Sequence, residues 1–175
     1  MANEFYQSSI EALLKSYQSG DFNEQDWVVL RRCNSQENCE TYIDRFKGTE
    51  HARLIPLIYK INLRHRSKIF SPMDPFDTEC LICLLEYEDT RSELENKKYT
   101  AVRVRQSGNK RGWKQAIENI VVKRGVTDGF TVLSKGKRLD VSFEAFVLNN
   151  KEQFPSNVLE AAKARLAANG YPLTR

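Results

Sequence analysis

The sequence predicts an α+β chain: a helical N-terminal half, followed by a small mixed α/β C-terminal part in the order strand, helix, hairpin, helix, helix. Three observations predict it. Apolar residues recur at three- and four-residue intervals through most of positions 1–95. Around residue 97 the period shortens to two, where Thr100, Val102 and Val104 alternate with Ala101, Arg103 and Arg105. Charge changes sign at the same place. Residues 1–95 carry 11 Lys and Arg against 17 Asp and Glu, and residues 96–175 carry 16 against 6. The division expected is an acidic helical subdomain over 1–95 and a basic α+β subdomain over 96–175, with one continuous core equally compatible.

The first helix is expected in SSIEALLKSY, where Ile10, Leu13, Leu14 and Tyr17 share a stripe and Ser8 or Ser9 caps it. WVVLRR is too short to separate strand from helix. SQENCETYIDRFKG begins on a capping Ser35, repeats Cys39, Tyr42, Ile43 and Phe46 at helical spacing, and stops at Gly48. Thr49 opens the next helical segment, in which Pro56 marks either a kink or the first turn. SPMDPFD is a break, with Asp77 placed to cap the next helix. TECLICLLEYEDTRSELENKK then reads as one helix: Leu81, Leu84, Leu85 and Tyr87 supply its buried side, and Glu86, Glu88, Asp89, Glu93 and Glu95 its wet side.

After the strand at 99–106, SGNKRG reads as a loop and WKQAIENIVVKRG as a helix ending at Gly125. GFTVLSKGKRLDV has the pattern of a hairpin turning at Lys135, Gly136 and Lys137. SFEAFVLNNKEQF is expected to be helical behind a capping Ser142. The last helix, PSNVLEAAKARLAANG, is filled with Ala and Leu, capped by Ser156 and ended by Gly170.

Composition narrows the class. With 41% hydrophobic residues and only 13 Gly and Pro among 175, the chain is globular and has little room for long linkers. No run of about 18 apolar residues is present, and the N-terminus lacks a basic-then-apolar signal pattern, so a cytoplasmic, reducing location is expected. Cys33, Cys39, Cys80 and Cys83 are then free thiols or metal ligands rather than a disulfide frame.

The most distinctive segment is KKYTAVRVRQSGNKRGWK, residues 97–114, in which seven of eighteen positions are Lys or Arg and none is acidic. On a strand, Tyr99, Arg103 and Arg105 would share the face opposite Val102 and Val104. An aromatic ring beside two guanidinium groups offers stacking for a base and charge for phosphates. The loop after the strand adds Lys110 and Arg111, and Trp113 and Lys114 open the next helix. Lys135, Lys137 and Arg138 form a second cluster at the expected hairpin tip. The plainer explanation is a solvated sheet face with Trp113 in the core.

ECLICLLEYE resembles the first zinc pair of a RING finger in its Cys-x-x-Cys followed by Leu. The resemblance covers a few residues only. No Cys or His occurs after Cys83. Cys33, Cys39, His51 and His65 upstream could complete four ligands, but the five-residue gap in CNSQENC is unusual for zinc. A helix also makes Cys80 and Cys83 apolar neighbours, so core cysteines are expected and no metal is assigned. Asp77 and Glu95, the latter in an E-N-K run, resemble the metal-binding pattern of restriction-type nucleases, which needs sheltered carboxylates at strand ends. No Ser, Cys or His constellation and no phosphate-binding loop emerges elsewhere.

The functional expectation is a non-enzymatic protein without cofactor that binds RNA or other single-stranded nucleic acid through a basic sheet face and its loops. The site residues are Tyr99, Arg103, Arg105, Lys110, Arg111, Trp113, Lys114, Lys135, Lys137 and Arg138. Opposite charge on the two halves makes self-association into oligomers a further expectation. The alternative is a protein–protein interaction module (an inhibitor, immunity or assembly factor) that meets an acidic partner with the same face. A metal-dependent nuclease is the lesser alternative.

Overall fold

The computed structural model describes residues 13–14, 22–70 and 74–172, and among them there is no strand. The chain is helical in its second half as well as its first, which overturns the α+β expectation. Among the described residues nine α-helices run in order: α1 (Glu24–Arg32), α2 (Gln36–Phe46), α3 (Ile55–Ser67), α4 (Pro75–Glu95), α5 (Val102–Arg111), α6 (Trp113–Val121), α7 (Asp128–Lys135), α8 (Phe143–Asn149) and α9 (Ser156–Ala168). Contacts divide the chain into two compact units, Met1–Thr78 and Glu79–Arg175.

In the first unit, local chemistry sets the helix ends. The WVVLRR ambiguity resolves as helix α1, which opens on a reciprocal capping box. The Asp26 amide donates to Asn23 Oδ1 at 2.9 Å, and the Asn23 amide donates to Asp26 Oδ2 at 2.8 Å. Ser35 caps α2 through the Asn38 amide, and Thr49 caps a short 3-10 turn through the His51 amide. Pro56 lies in the first turn of α3, where its missing N–H leaves no gap in the helix. Asp74, not Asp77, accepts from the opening turn of α4: its Oδ1 takes the Asp77 amide at 2.8 Å.

Leu30, Cys33, Cys39, Phe46, Leu54, Leu57, Ile58 and Ile61 form one buried cluster on which Leu13, Leu14, Tyr42 and Ile43 pack. Asp26, Asn62, His65, Ser67 and Thr78 are the buried polar residues of this unit among those described. His65 Nε2 lies 2.9 Å from the Cys33 carbonyl oxygen and therefore donates to it, and Arg53 pairs with the buried Asp26. Leu13 and Leu14 are helical, and the rest of the helix expected over 8–17 lies outside the described residues.

The second unit departs from expectation at two segments. Residues 99–106 read as a strand because valines and a threonine alternate with arginines over a few positions, too short a run to exclude a helix. The chain instead winds into α5, with the Arg105 amide donating to the Ala101 carbonyl at 3.0 Å and the Gly112 amide to the Gly108 carbonyl at 2.9 Å. Val102, expected in the core, is 54% exposed, while Ala101 and Gly108 are buried. A tertiary contact fixes this choice. A Cβ added at Gly108 would lie 2.6 Å from the Trp113 ring, so α5 and α6 approach closely only where position 108 has no side chain. Gly112, at φ 83°, makes the turn between them.

The expected hairpin is the helix α7 with a 3-10 turn after it at Leu139–Val141. Thr127 caps it through the Phe130 amide, and Phe130 and Leu133 face the core one turn apart. Lys135 to Lys137 do form a turn, but it is the end of a helix. The last helix opens behind Pro155 and has no side-chain cap, so Ser156 is its first residue rather than its cap. Ser142 does cap α8, accepting from the Ala145 amide at 3.1 Å.

Phe130, Leu133, Leu139, Ala145 and Leu166 form the second buried cluster, with Tyr87, Val141, Leu148 and Tyr171 against it. Glu86 and Glu88 belong to the interior rather than to the wet side of α4: they are 5% and 2% exposed. Each meets an arginine supplied from later in the chain.

Candidate nucleic-acid interface

Two of the expected site arginines are structural clamps. Glu88 Oε1 accepts from the Ala101 amide and from Arg105 Nε, both at 2.8 Å, and its second oxygen pairs with Arg105 Nη2. That carboxylate caps the entry to α5 and ties it to α4. Arg138 pairs through Nη2 with Glu86 Oε2 and reaches Asp140 at 3.5 Å. Burial raises the Glu86 carboxyl above its ordinary range, and the Arg138 charge only partly opposes this. A third clamp joins Glu144 to Arg165, whose Nη2 also donates to the carbonyls of Lys123 and Gly125 at 2.8 and 3.0 Å.

Trp113 is 5% exposed, packed over Gly108, and its ring is a helix spacer. Tyr99 is half-buried. Its ring meets that of Tyr87 edge-on at 5.7 Å, and the Arg91 guanidinium lies 4.0 Å from its centroid. Arg91 also donates to the Tyr87 hydroxyl at 3.1 Å and to Glu95 at 2.8 Å. Burial pushes the Tyr87 phenol up to about 12, so it stays protonated at neutral pH.

The other basic residues are different. Arg103, Lys110, Arg111 and Lys114 are exposed and make no ion pair among the described residues. Arg103 and Lys110 are seven residues apart, two turns along one face of α5. Arg111 ends that helix, and Lys114 lies in the first turn of α6, which packs against it. Lys135 and Lys137 are also exposed and unpaired among the described residues, at the far end of α7. The helix therefore keeps Arg103 with Lys110 and separates both from Arg105, the neighbour that a strand would have placed beside Arg103.

Behind α5 lies a cavity of about 590 Å³. Tyr87, Tyr99, Phe130 and Phe143 supply aromatic walls, and Arg103 and Lys123 supply cations unpaired among the described residues. No sequence pattern announces it, because its lining comes from α4, α5, α6, α7 and α8 together. Of the expected site residues, Tyr99 and Arg103 reach it.

The chemical motifs are placed elsewhere. Cys80 is buried, and Cys83 lines the cavity with its thiol pushed up by burial. Asp77 and Glu95 sit in the first and last turns of the 21-residue α4, so the helix does not bring these carboxylates together. Among the described residues, no group of three or more His, Cys, Asp or Glu is arranged to hold a metal ion, and no helix is long and apolar enough to cross a membrane. No protein-family model, curated protein or solved structure matches the chain.

Proposed function

We propose that this chain binds nucleic acid without catalysing a reaction on it, single-stranded RNA or DNA ahead of duplex, through the exposed face of α5 and the start of α6. One observation carries the reading. The buried carboxylates of the second unit engage Arg105, Arg138 and Arg165, whereas Arg103, Lys110, Arg111 and Lys114 remain exposed and unpaired among the described residues. Four solvated cations on two packed helices make a patch that an extended phosphate backbone can track. Lys97 and Lys98, also exposed, precede it.

The test is a salt-series titration of the full chain with labelled single-stranded RNA, single-stranded DNA and duplex DNA. If four phosphates are neutralised, log affinity should fall against log salt with a slope of about −3 on single strands. Replacing Arg103, Lys110, Arg111 and Lys114 together with Gln should remove most of that slope. Salt-independent binding, or a quadruple variant that binds like the parent, would overturn the proposal. Loss of strand binding together with a stoichiometric complex with an acidic protein would favour the interaction-module reading instead. Metal-dependent cleavage of the probe would make the chain an enzyme.

A further inference from the structure

We propose that the cavity behind α5 is a base pocket: it receives one unstacked nucleobase, whose phosphate is held at the rim by Arg103 and Lys123. The inference rests on the basic-face reading above and extends it to a second kind of contact. Its volume of about 590 Å³ falls within the range of small-ligand pockets. Its walls suit a flat ring. Tyr87 and Tyr99 stand edge to face with hydroxyls 3.4 Å apart, and Phe130 and Phe143 line the same space. Arg91 braces both tyrosines, one through its guanidinium face and the other through a hydrogen bond, so the aromatic wall is formed before any ligand arrives.

Charge selects the class. Of the cavity's charged residues, Glu144 is paired with Arg165 and Arg91 with Glu95. That leaves the cations Arg103 and Lys123 against the single carboxylate of Asp128, a positive balance that favours an anionic ligand. Polar groups for the edge of a base are present in Thr100 and Asn119. Arg103 also belongs to the exposed face of α5, so a strand whose phosphates track that face passes the mouth of the cavity. A flat aromatic ring bearing a phosphate satisfies the walls and the rim together, and a free nucleotide carries the same chemistry as a strand.

The experiment compares three probes on the full chain: a ten-nucleotide single strand, an abasic strand of the same length, and adenosine or uridine monophosphate alone. The ordinary strand should bind about tenfold more tightly than the abasic one, as expected when one base stacks on aromatic side chains. The monophosphate should shift the ring resonances of Tyr87, Tyr99, Phe130 and Phe143. Ser107→Leu, which adds bulk to the cavity wall at a residue whose side chain makes no hydrogen bond among the described residues, should erase the tenfold preference while abasic binding persists. Equal binding of both strands with unmoved ring resonances overturns the pocket and leaves the basic face standing. Ring shifts with the monophosphate, when neither strand binds, support the pocket and overturn the basic face. Silence from all three probes overturns both.

Discussion

The groups that end helices in the first unit lie within three residues of the ends they serve, whereas in the second the carboxylate that fixes α5 to α4, Glu88, lies 13 and 17 residues from the groups it holds. Asn23, Ser35 and Thr49 each satisfy amides in the turn they precede, and the unit's interior is an apolar cluster with a single buried carboxylate among the described residues, Asp26. In the second unit Thr127 and Ser142 cap locally too, but Glu86, Glu88 and Glu144 are buried and reach arginines from distant positions. The difference bears on function. Carboxylates that look like a solvated helix face are internal fasteners, so the cations they leave unmatched are the ones available to a partner.

The sharpest way to break this comparison is to remove a fastener. Glu88→Ala leaves the Arg105 guanidinium and the Ala101 amide without their acceptor, and stability should fall by about 3–5 kcal/mol. Urea unfolding measures the loss, and hydrogen exchange should place it in α4 and α5. A fall below about 1 kcal/mol, the level of an exposed surface pair, would mean that the clamp does not hold the second unit together. Asn23→Ala removes a local cap instead. It should cost about 1 kcal/mol, read in the same urea series, with faster exchange confined to the first turn of α1. A loss as large as that of Glu88→Ala would erase the distinction between the units.

The smallest effect is a pH slope of opposite sign in the two units. Burial depresses the His65 pKa, with Lys68 adding to it and the Cys33 carbonyl opposing it. The unfolded chain takes up a proton that the folded unit resists, so the first unit should lose stability as pH falls below about 6.5. Glu86 and Glu144 are raised by burial more than their arginines lower them. The folded second unit holds those protons more tightly than the unfolded chain, so their contribution increases as pH falls from neutral towards the ordinary carboxylate range. The Asp26 carboxyl, which burial raises but the Asn23 amide and Arg53 together bring below its ordinary value, acts only in stronger acid. Hydrogen-exchange protection between pH 7 and 5, corrected for intrinsic rates, should therefore decline around α1 and α3 while that around α4, α8 and α9 holds or grows. Parallel decline in both units would contradict these shifts.

Helices whose signals are local were legible in the chain. Ser35 with the repeat to Phe46, Thr49 with Pro56, and Ser142 before an apolar run each state their own beginning, because a cap and a 3.6-residue period need only neighbouring residues. Around Tyr99 the same reasoning failed. Val102 and Val104 alternate with arginines as they would on a strand, and what outweighed that alternation was Glu88 seizing Ala101 and Arg105, together with Trp113 seated on Gly108. Asp77 and Ser156 miss their expected capping roles for a smaller reason: Asp74 and Pro155 stand nearby and take the boundary first.

Sequence by itself determined that the chain builds helices in its first half, that it carries opposite charge in its two parts, and that residues 97–114 concentrate cations without acids. Which of those cations stay free was decided by folding alone. Ion pairing inside a protein depends on distances between residues far apart in sequence, and burial makes such a pair either complete or costly. Arg105 found a buried carboxylate, as did Arg138 beyond that segment, whereas Arg103 and Lys110 remained exposed, and the cavity joining Arg103 to Tyr99 exists only where separate helices meet.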